Sequence, residues 1–569
     1  MASASSTHLP GTRAALPGAR RGWRWGLAAL SAILLDLPFP IAGPLPVWRS
    51  VFAWFALVPL IFAVLSQSNL AEAGAAAGPS FLRRSFLLGY LAGVIWYVLN
   101  CYWIYATMHI YGGIGAPASA GILLLYSMVL GLYFGAFTLL LAVLRKGARS
   151  NAAPLILAPF VWVALELLAA RFTSVPWDQL GYSQVDNFLL TRLAPLTGVY
   201  GISLVLAAGN ALLAGALLAR LPSARIKLAA IAVVSIALLQ AGSLLSPAAV
   251  SAPYTAVLLQ QNVGLEDGYE WQGPEWDRRT RAFLNLSAQT CGPYYVGMPG
   301  PHNKLIDVHC FLSPPANLVV WPESPAPFRE TDPQFKALIA ALAAQTRAPL
   351  IVGNIGGERH DFNSGEFIAP DGHFVGRYDK IHLVPFGEYV PYKGLISFAG
   401  TLTQGVGQFS RGEYRKVFES GGHSYGIFIC YESVFADEIR HFAELGADVF
   451  VNISDDGWYG DTSAPWQHLN MARMRAIEND RWILRGTDTG VTAAIDPYGR
   501  ITQSAPRHVE TSLAAHYSYR DHLTFYTRYG DIFAILCTVI ALAAVARSLR
   551  GSLRHQSQSA KIALPAVNS

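Results

Sequence analysis

The feature that most constrains this chain is a series of apolar runs, each about as long as a membrane is thick. An α-helix rises 1.5 Å per residue, so about 20 apolar residues cross a hydrocarbon layer of about 30 Å. The chain contains about eight such runs, centred near residues 34, 58, 94, 130, 163, 207, 236 and 538. The sequence therefore predicts a bundle of about eight transmembrane helices. The first two are the weakest candidates, because several prolines lie at their junction.

The composition agrees with a membrane protein. Of the 569 residues, 52% are hydrophobic and only 14% are charged, whereas globular proteins average roughly 25% charged residues. A soluble core could not hide this apolar excess, so part of it must face lipid. The formal net charge of +5 is small and scattered. We therefore expect no nucleic-acid partner.

The basic residues predict how the chain is oriented. Cytoplasmic loops carry an excess of Lys and Arg, and basic clusters precede the first predicted helix and follow helices two, four, six and eight. This alternation places both termini in the cytoplasm and the region between helices seven and eight on the opposite side. The residues concerned are Arg13, Arg20, Arg21, Arg24, Arg83, Arg84, Arg145, Lys146, Arg149, Arg220, Arg225, Lys227, Arg547, Arg550, Arg554 and Lys561.

The expected domain limits follow from these helices. Residues 1–24 form a cytoplasmic segment, 25–248 carry helices one to seven, 249–525 form an extracytoplasmic domain, 526–548 form helix eight and 549–569 form a cytoplasmic tail. A cleaved signal peptide is an alternative for the N-terminus, since an Arg-rich stretch leads into an apolar run. No small-residue cleavage pattern is clear, however.

The extracytoplasmic region alternates short apolar strands with helices. Runs such as Leu318–Trp321 are typical of buried strands, and helices are predicted near 276–290, 333–346 and 465–480. The alternation predicts an α/β layered domain. No glycine-rich phosphate loop follows a predicted strand, and no histidines have metal-ligand spacing. The sequence therefore indicates neither a cofactor nor a metal.

Three segments of this domain place a reactive side chain where an apolar strand ends. Glu323 lies in WPES, Lys380 in YDKIHLVPFGEY and Cys430 in IFICYE. Singly, each has a plain alternative: a surface or capping carboxylate, a solvated charge and an inert core thiol. Together they supply a base, a cation and a thiol, which can generate a thiolate, attack a carbonyl and stabilise the oxyanion.

These motifs resemble the nitrilase (carbon-nitrogen hydrolase) superfamily, whose members carry a Glu-Lys-Cys triad in an αββα sandwich. With predicted transmembrane helices around the domain, the chain is similar to the membrane branch of that superfamily, the apolipoprotein N-acyltransferases. The resemblance covers about residues 25–548. Further motifs that carry it are Val175–Trp177, Gly181–Gln184, Pro465–His468, Met471–Ala476 and Gly490–Ala493.

The resemblance implies a reaction. An acyl chain would pass from a phospholipid to Cys430 as a thioester, and then to the α-amine of the N-terminal diacylglyceryl-cysteine of an apolipoprotein, in a ping-pong cycle. Glu323 would be the base, and Lys380 with a backbone N–H near Tyr431 would stabilise the oxyanion. The resemblance also implies a bacterial inner membrane, membrane lipids as neighbours and a periplasmic catalytic domain.

Supporting residues are suggested by the same resemblance. Glu388 and Glu432 would orient Lys380 and polarise the site, and their alternative is a pair of surface salt bridges. Trp458 would either touch lipid or lie in the domain core.

One segment does not map onto the family. Residues 290–312 look like an insertion, and Cys291 and Cys310 within it either form a disulfide in an oxidising compartment or remain free thiols. The tryptophan of the first substrate-binding loop is either Trp271 or Trp276, and spacing weakly favours Trp271.

Two other functions remain open from the sequence. A membrane-tethered amidase or nitrilase-like hydrolase would pass through the same acyl-enzyme and use water as the second nucleophile, so the triad does not exclude it. A transporter with a solute-binding outer domain would need inverted repeats and broken helices with paired charges. The sequence shows only sparse charge within the predicted helices, which favours the acyltransferase.

Overall fold

The computed structural model shows a helical bundle followed by an α/β domain and a last long helix. It describes residues 22–67, 79–148, 150–264, 274–290, 292–300, 302–306, 311–312, 316–323, 328–389 and 408–562. Trp271, Cys291 and Cys310 lie outside these residues. The predictions about Trp271 and about a Cys291–Cys310 disulfide therefore concern a part of the chain that the structure does not describe.

The main helices of the bundle and the last helix are numbered in chain order. They are α1 Trp23–Asp36, α2 Val58–Leu65, α3 Pro79–Asn100, α4 Ala116–Lys146, α5 Ala152–Leu168, α6 Val199–Leu218, α7 Pro222–Gln240 and, at the end of the chain, Ile532–Ile562. Short helical segments cover Val47–Trp54, Trp103–Ala106, Thr107–Tyr111, Ala169–Thr173, Leu180–Gln184, Phe188–Thr191, Ala194–Thr197 and Ala241–Leu244.

Seven helical segments of the described chain are long and apolar enough to cross a membrane. They are Val47–Leu65, Ser80–Asn100, Ala116–Lys146, Ala152–Thr173, Val199–Leu218, Pro222–Leu244 and Ile532–Gly551. The first predicted span is shorter than expected, because α1 has 14 residues and rises about 21 Å. Proline at position 38 explains its end, since a proline has no backbone N–H to continue the hydrogen bonds of the helix.

Close packing of α3 against α4 depends on glycines. A Cβ added to Gly89 would lie 2.2 Å from the carbonyl oxygen of Phe134, and one added to Gly93 would lie 2.9 Å from the Cα of Gly131. Gly135, one turn further along α4, packs against a phenyl ring of α3 in the same way. Small residues four positions apart on both helices let the two backbones approach closely, as is common within membranes.

The described part of the α/β domain contains two large sheets and a small two-stranded sheet of β2 and β5. The first has the strand order β16-β1-β6-β7-β8-β9 and the second the order β10-β11-β12-β13-β14-β15-β3-β4. The strands are β1 Tyr254–Gln260, β2 Gln289–Thr290, β3 Tyr294–Val296, β4 Leu305–Ile306, β5 Phe311–Leu312, β6 Leu318–Val320, β7 Leu350–Gly356, β8 Phe362–Ile368, β9 Phe374–Asp379, β10 Val417–Ser420, β11 His423–Ile429, β12 Val449–Ser454, β13 Ile483–Thr487, β14 Ala493–Ile495, β15 Ile501–Ser504 and β16 Thr511–Tyr517.

Helices cover the outer faces of both sheets. They are α8 Pro274–Ala288, α9 Pro333–Thr346, α10 Ala436–Glu444 and α11 Ala464–Asn479. After them come the short helix Phe525–Tyr529 and the terminal helix of the bundle, Ile532–Ile562, which is numbered α12. Ile339 of α9 packs on the first sheet and Phe442 of α10 on the second. Val320 and Ile427, from different sheets, share the core between them. This arrangement confirms the predicted αββα sandwich.

The strand order brings the reactive segments to one edge. β1, β6 and β7 run parallel in the first sheet, and β11, β12 and β13 run parallel in the second. The carboxyl ends of parallel strands meet at the same edge of a sheet. Glu323 follows β6, Lys380 follows β9 and Cys430 follows β11 at this edge.

The sandwich is attached to the helix ends of the bundle by polar contacts. Arg171, just after α5, donates to Asp437 of α10 at 2.6 Å and also to Asp531. Trp177 Nε1 donates to Gln467 Oε1 of α11 at 2.8 Å. The edge that carries the reactive segments therefore lies against the bundle.

Candidate active site

A buried ion-pair cluster forms the centre of the site. Lys380 Nζ donates to Glu323 Oε1 at 2.9 Å and to Glu388 Oε1 at 2.9 Å. The amide of Asn363, at the start of β8, donates to the same two oxygens at 2.7 and 2.6 Å. Burial alone would lower the pKa of Lys380, but the carboxylates of Glu323 and Glu388 raise it well above its ordinary value. Lys380 is therefore a permanent cation.

Glu323 is held through its second oxygen as well. The backbone N–H of Asp455, directly after β12, donates to Glu323 Oε2 at 2.9 Å. Both sheets thus hold Glu323, because Asn363 and Lys380 belong to or follow strands of the first sheet and Asp455 follows a strand of the second. A carboxylate fixed at both oxygens has a defined direction, which general-base catalysis requires.

Cys430 lies at the turn between β11 and a short helix, Cys430–Val434. Its backbone has φ of +49°, in the left-handed region that costs a non-glycine residue about 1–2 kcal/mol. Only 5% of the residue is exposed. Burial and the charge of Glu323 raise the pKa of the thiol, while the charge of Lys380 opposes them. The resting sulfur is therefore a protonated thiol with a carboxylate and an ammonium acting on it.

Glu432 links the Cys430 turn to the segment after Lys380. Its Oε1 accepts from Tyr378 Oη at 2.7 Å and from the backbone N–H groups of Ile381 and His382 at 2.7 and 3.1 Å. Its Oε2 accepts from the backbone N–H of Ile429 at 2.7 Å. Burial raises the pKa of Glu432, and these hydrogen bonds oppose that effect. Glu432 is fully buried and reaches the Lys380 segment through two backbone N–H groups and the hydroxyl of Tyr378.

Glu388 supports the cluster differently. It accepts from Lys380 and Asn363 through Oε1, and its Oε2 accepts from the backbone N–H of Val384 at 2.7 Å. The loop that follows Lys380 therefore folds back on its own carboxylate, which fixes the distance between Lys380 and Glu388.

The aromatic candidates occupy different surroundings. Tyr431 donates its hydroxyl hydrogen to the carbonyl oxygen of Ser174 at 3.2 Å, so it contacts the bundle. Trp458 is 47% exposed, and its carbonyl oxygen accepts from Thr107 of the bundle at 2.9 Å. Trp276 is half-buried and packs against Phe328 beside the outer helices of the first sheet.

One buried network was missing from the sequence-based prediction. His468 of α11 is fully buried, and its Nε2 lies 3.0 Å from the carbonyl oxygen of Cys430. Its Nδ1 lies 2.9 Å from Asp456 Oδ1, and Arg485 of β13 donates to Asp456 Oδ2 at 2.7 Å. The position of Asp456 just after β12 was a usable signal, because Glu323 and Cys430 also follow strands at this edge.

Metal binding has no support in the described part of the chain. No group of three His, Cys, Asp or Glu residues there has a geometry that would hold a metal ion. The cations of the site are side chains, Lys380 and Arg485.

Comparisons with known proteins agree with this architecture. The family model described as carbon-nitrogen hydrolase matches residues 307–518, and the one described as apolipoprotein N-acyltransferase N-terminal domain matches residues 31–212. An apolipoprotein N-acyltransferase of Geobacter metallireducens is 32% identical over 93% of this chain and 96% of its own length. The chain belongs to the apolipoprotein N-acyltransferase family. A second relative of that name, from Methylococcus capsulatus, is 31% identical over 89% of this chain and 96% of its own.

Two solved structures resemble part of this chain. XC1258 from Xanthomonas campestris, a CN-hydrolase superfamily protein, shares 19% identity at a TM-score of 0.34, covering 47% of this chain and 90% of its own. Saccharomyces cerevisiae Nit3, a nitrilase superfamily member, shares 16% identity at a TM-score of 0.32, covering 47% of this chain and 91% of its own.

Proposed function

We propose that this protein moves an acyl chain from a phospholipid to the α-amine of the N-terminal diacylglyceryl-cysteine of an apolipoprotein, through a thioester on Cys430. Family membership supports lipoprotein N-acylation as the activity. The observation that carries the chemistry is the cluster in which Lys380 bridges Glu323 and Glu388 while Glu323 and Lys380 both act on the Cys430 sulfur.

The first half-reaction would acylate the enzyme. Glu323 accepts the Cys430 proton, and the thiolate attacks the ester carbonyl of the phospholipid. Lys380 and the backbone N–H of Tyr431 stabilise the tetrahedral oxyanion. When this intermediate collapses, the carbon–oxygen bond of the ester breaks, Glu323 gives the proton to the departing lysophospholipid, and Cys430 keeps the acyl chain as a thioester.

The second half-reaction would release the chain to the acceptor. The α-amine of the diacylglyceryl-cysteine attacks the thioester carbonyl, and Glu323 takes a proton from that amine. The carbon–sulfur bond breaks, an amide forms and the proton returns to Cys430. Every proton and bond is accounted for by the two substrates and these residues, so this cycle calls on no cofactor.

The position of the site against the bundle suits these substrates. Removing an acyl chain from a bilayer costs about 0.8 kcal/mol per CH₂ group, so the nucleophile must reach lipid at the membrane surface. Tyr431 and Trp458 both contact short segments at the helix ends. We therefore expect the exposed indole of Trp458 to contact lipid.

The location and domain limits belong to the same proposal. The distribution of Lys and Arg between the helices supports cytoplasmic termini and a periplasmic catalytic domain in a bacterial inner membrane. We assign residues 1–24 and 549–569 to the cytoplasm, 25–248 and 526–548 to the membrane and 249–525 to the catalytic domain.

Mass spectrometry of the Cys430 peptide tests the proposal. The purified protein is incubated with a phospholipid of defined chain length, and the peptide containing Cys430 is searched for the mass of one acyl group. Addition of a diacylglyceryl peptide should remove that mass and produce an N-acylated peptide.

Two variants provide the comparison. Cys430→Ser should lose both products, whereas Cys537→Ser, at a buried thiol of α12, should keep both. Release of free fatty acid without N-acylation would support the hydrolase alternative, and absence of any acyl adduct would rule out the covalent route.

A further inference from the structure

His468 contacts the carbonyl side of the peptide that joins Cys430 to Tyr431. Its carbonyl oxygen lies 3.0 Å from His468 Nε2. In a planar trans peptide, the C=O and N–H bonds point in opposite directions within one plane. A hydrogen bond that fixes the carbonyl of Cys430 therefore also fixes the direction of the Tyr431 N–H.

The Tyr431 N–H is available to a substrate. It lies in the first turn of the short helix Cys430–Val434, and among the residues that the structure describes it has no backbone acceptor. The direction of this N–H therefore depends on what holds the peptide. Among the described residues, the side chain that contacts the carbonyl oxygen of this peptide is His468.

The geometry also defines which ring nitrogen donates to the peptide. A carbonyl oxygen can only accept, so His468 Nε2, 3.0 Å from the carbonyl oxygen of Cys430, carries a hydrogen and donates it. Nδ1 lies 2.9 Å from Asp456 Oδ1 and 3.1 Å from a guanidinium nitrogen of Arg485. Burial would raise the pKa of Asp456, but its contacts with Arg485 and His468 lower it well below its ordinary value, so a carboxylate anchors this side of the ring.

The imidazole ring is held from several sides. Asp456 is held in turn by Ser454 Oγ at 3.1 Å and by Arg485 at 2.7 Å. The indole of Trp177 lies nearly parallel to the imidazole ring, with ring centroids 6.2 Å apart and an interplanar angle of 22°. The ring can therefore neither rotate nor exchange its partners freely.

We propose that His468 is a positioning residue, which aims the Tyr431 N–H at the developing oxyanion by donating to the carbonyl oxygen of Cys430. The inference rests on the proposed function, because it assigns His468 a part in the acylation of Cys430. Hydrogen bonds in a chain polarise one another, so donation to the carbonyl oxygen also makes the Tyr431 N–H a better donor.

Two reactions of the same sulfur separate this role from a general structural one. Acylation by a phospholipid passes through an oxyanion, whereas alkylation by iodoacetamide does not. Both rates are followed by mass spectrometry on the Cys430 peptide of the full-length protein in phospholipid–detergent micelles. Glu323, Lys380, Asp456 and Arg485 are charged groups near the sulfur, so a variant could change the pKa of the thiol. A pH series of alkylation therefore separates the thiolate fraction from access to the sulfur.

Two variants give the expected result. His468→Leu removes the Nε2 donor, and acylation should fall about 100-fold, as for the loss of an oxyanion donor. The alkylation rate at the high-pH plateau should stay within about threefold of wild type, and the KM for phospholipid should not change. His468→Gln keeps an amide N–H near the position of Nε2 and should recover about a tenth of the wild-type rate.

The control is His508→Gln, at an exposed histidine paired with Asp461, and it should behave as wild type. If the His468 variants do not fold, Asp456→Asn replaces them, and acylation should fall about tenfold with plateau alkylation retained.

Three outcomes overturn the inference: acylation unchanged in His468→Leu, acylation and plateau alkylation lost in parallel, or His468→Gln no better than His468→Leu. A wild-type protein that never acylates Cys430 instead contradicts the proposed function itself.

Discussion

The carboxylate of Glu432 accepts a hydrogen bond from the backbone N–H of Ile381 at 2.7 Å, although 51 residues separate the two. Ile381 follows Lys380 at the end of the first sheet, and Glu432 lies in the turn that carries Cys430 at the end of the second. One carboxylate therefore sets the distance between the proposed nucleophile and the proposed oxyanion-stabilising cation.

Glu432→Gln tests this link. The amide would present a donor to one of the N–H groups that the carboxylate now accepts from, so the Lys380 segment should shift. Misplacement by about 1 Å costs on the order of 100-fold in rate, so the acylation rate should fall by that factor with little change in KM.

Glu419→Gln, at an exposed position of β10, is the matched control and should leave the rate unchanged. Full activity of the Glu432→Gln protein would contradict the positioning role of Glu432.

Removal of the central cation should affect both the oxyanion and the thiol. Lys380→Met deletes the charge that opposes the raised pKa of Cys430, so this pKa should rise further and alkylation by iodoacetamide should require higher pH. Acylation should fall by about 1,000-fold, because a donor to the oxyanion is lost as well.

Lys416→Met, at an exposed lysine before β10, serves as the comparison. An alkylation profile of Lys380→Met that coincides with wild type would show that Lys380 does not act on the sulfur.

Glu438 predicts an acid-sensitive contribution to stability. Burial would raise its pKa, but hydrogen bonds from His382 and Arg415 lower it from 4.5 to about 2. Because the folded-state pKa is depressed, the stabilisation is fully present above pH 4.5 and is lost as the pH falls towards about 2. The difference between these two pKa values corresponds to a contribution of about 3 kcal/mol to the free energy of unfolding.

Thermal unfolding in detergent at a series of pH values measures this contribution. Glu438→Gln should be less stable than wild type near neutral pH, and the difference should shrink at acidic pH. Glu444→Gln, at an exposed residue of the same helix, should cost little at any pH. A difference that does not depend on pH would contradict the assignment to Glu438.

The contact between α3 and α4 gives a prediction about assembly of the bundle. Gly89→Ala would place a methyl group 2.2 Å from the carbonyl oxygen of Phe134, so the helices must separate, at a cost of about 1–3 kcal/mol. Gly121→Ala on α4 is the matched control, because nothing lies within 4 Å of the added Cβ. Equal thermal stability of the two variants in detergent would show that α3 and α4 do not pack as described.

Much of this architecture follows from local features of the sequence. Helix length and hydropathy are properties of consecutive residues, so the long membrane helices could be predicted from the sequence. The α/β layered domain followed from the alternation of strands and helices, and its αββα sandwich form from the family resemblance. Glu323, Lys380 and Cys430 could be singled out because each follows an apolar strand, and strand ends define an edge before any contact is known. The exception is α1, where a nearby proline ends the helix after 14 residues.

The tertiary structure alone decided which side chains hold the reactive ones. Asn363 gave no sequence signal, yet it donates to Glu323 and Glu388. Glu432 reaches Ile381 across two sheets, and His468 reaches the carbonyl of Cys430 from a helix 38 residues away. Hydropathy and spacing describe neighbours along the chain, whereas these hydrogen bonds depend on how two sheets and a helix pack, because an acceptor and its donor must meet within about 3 Å.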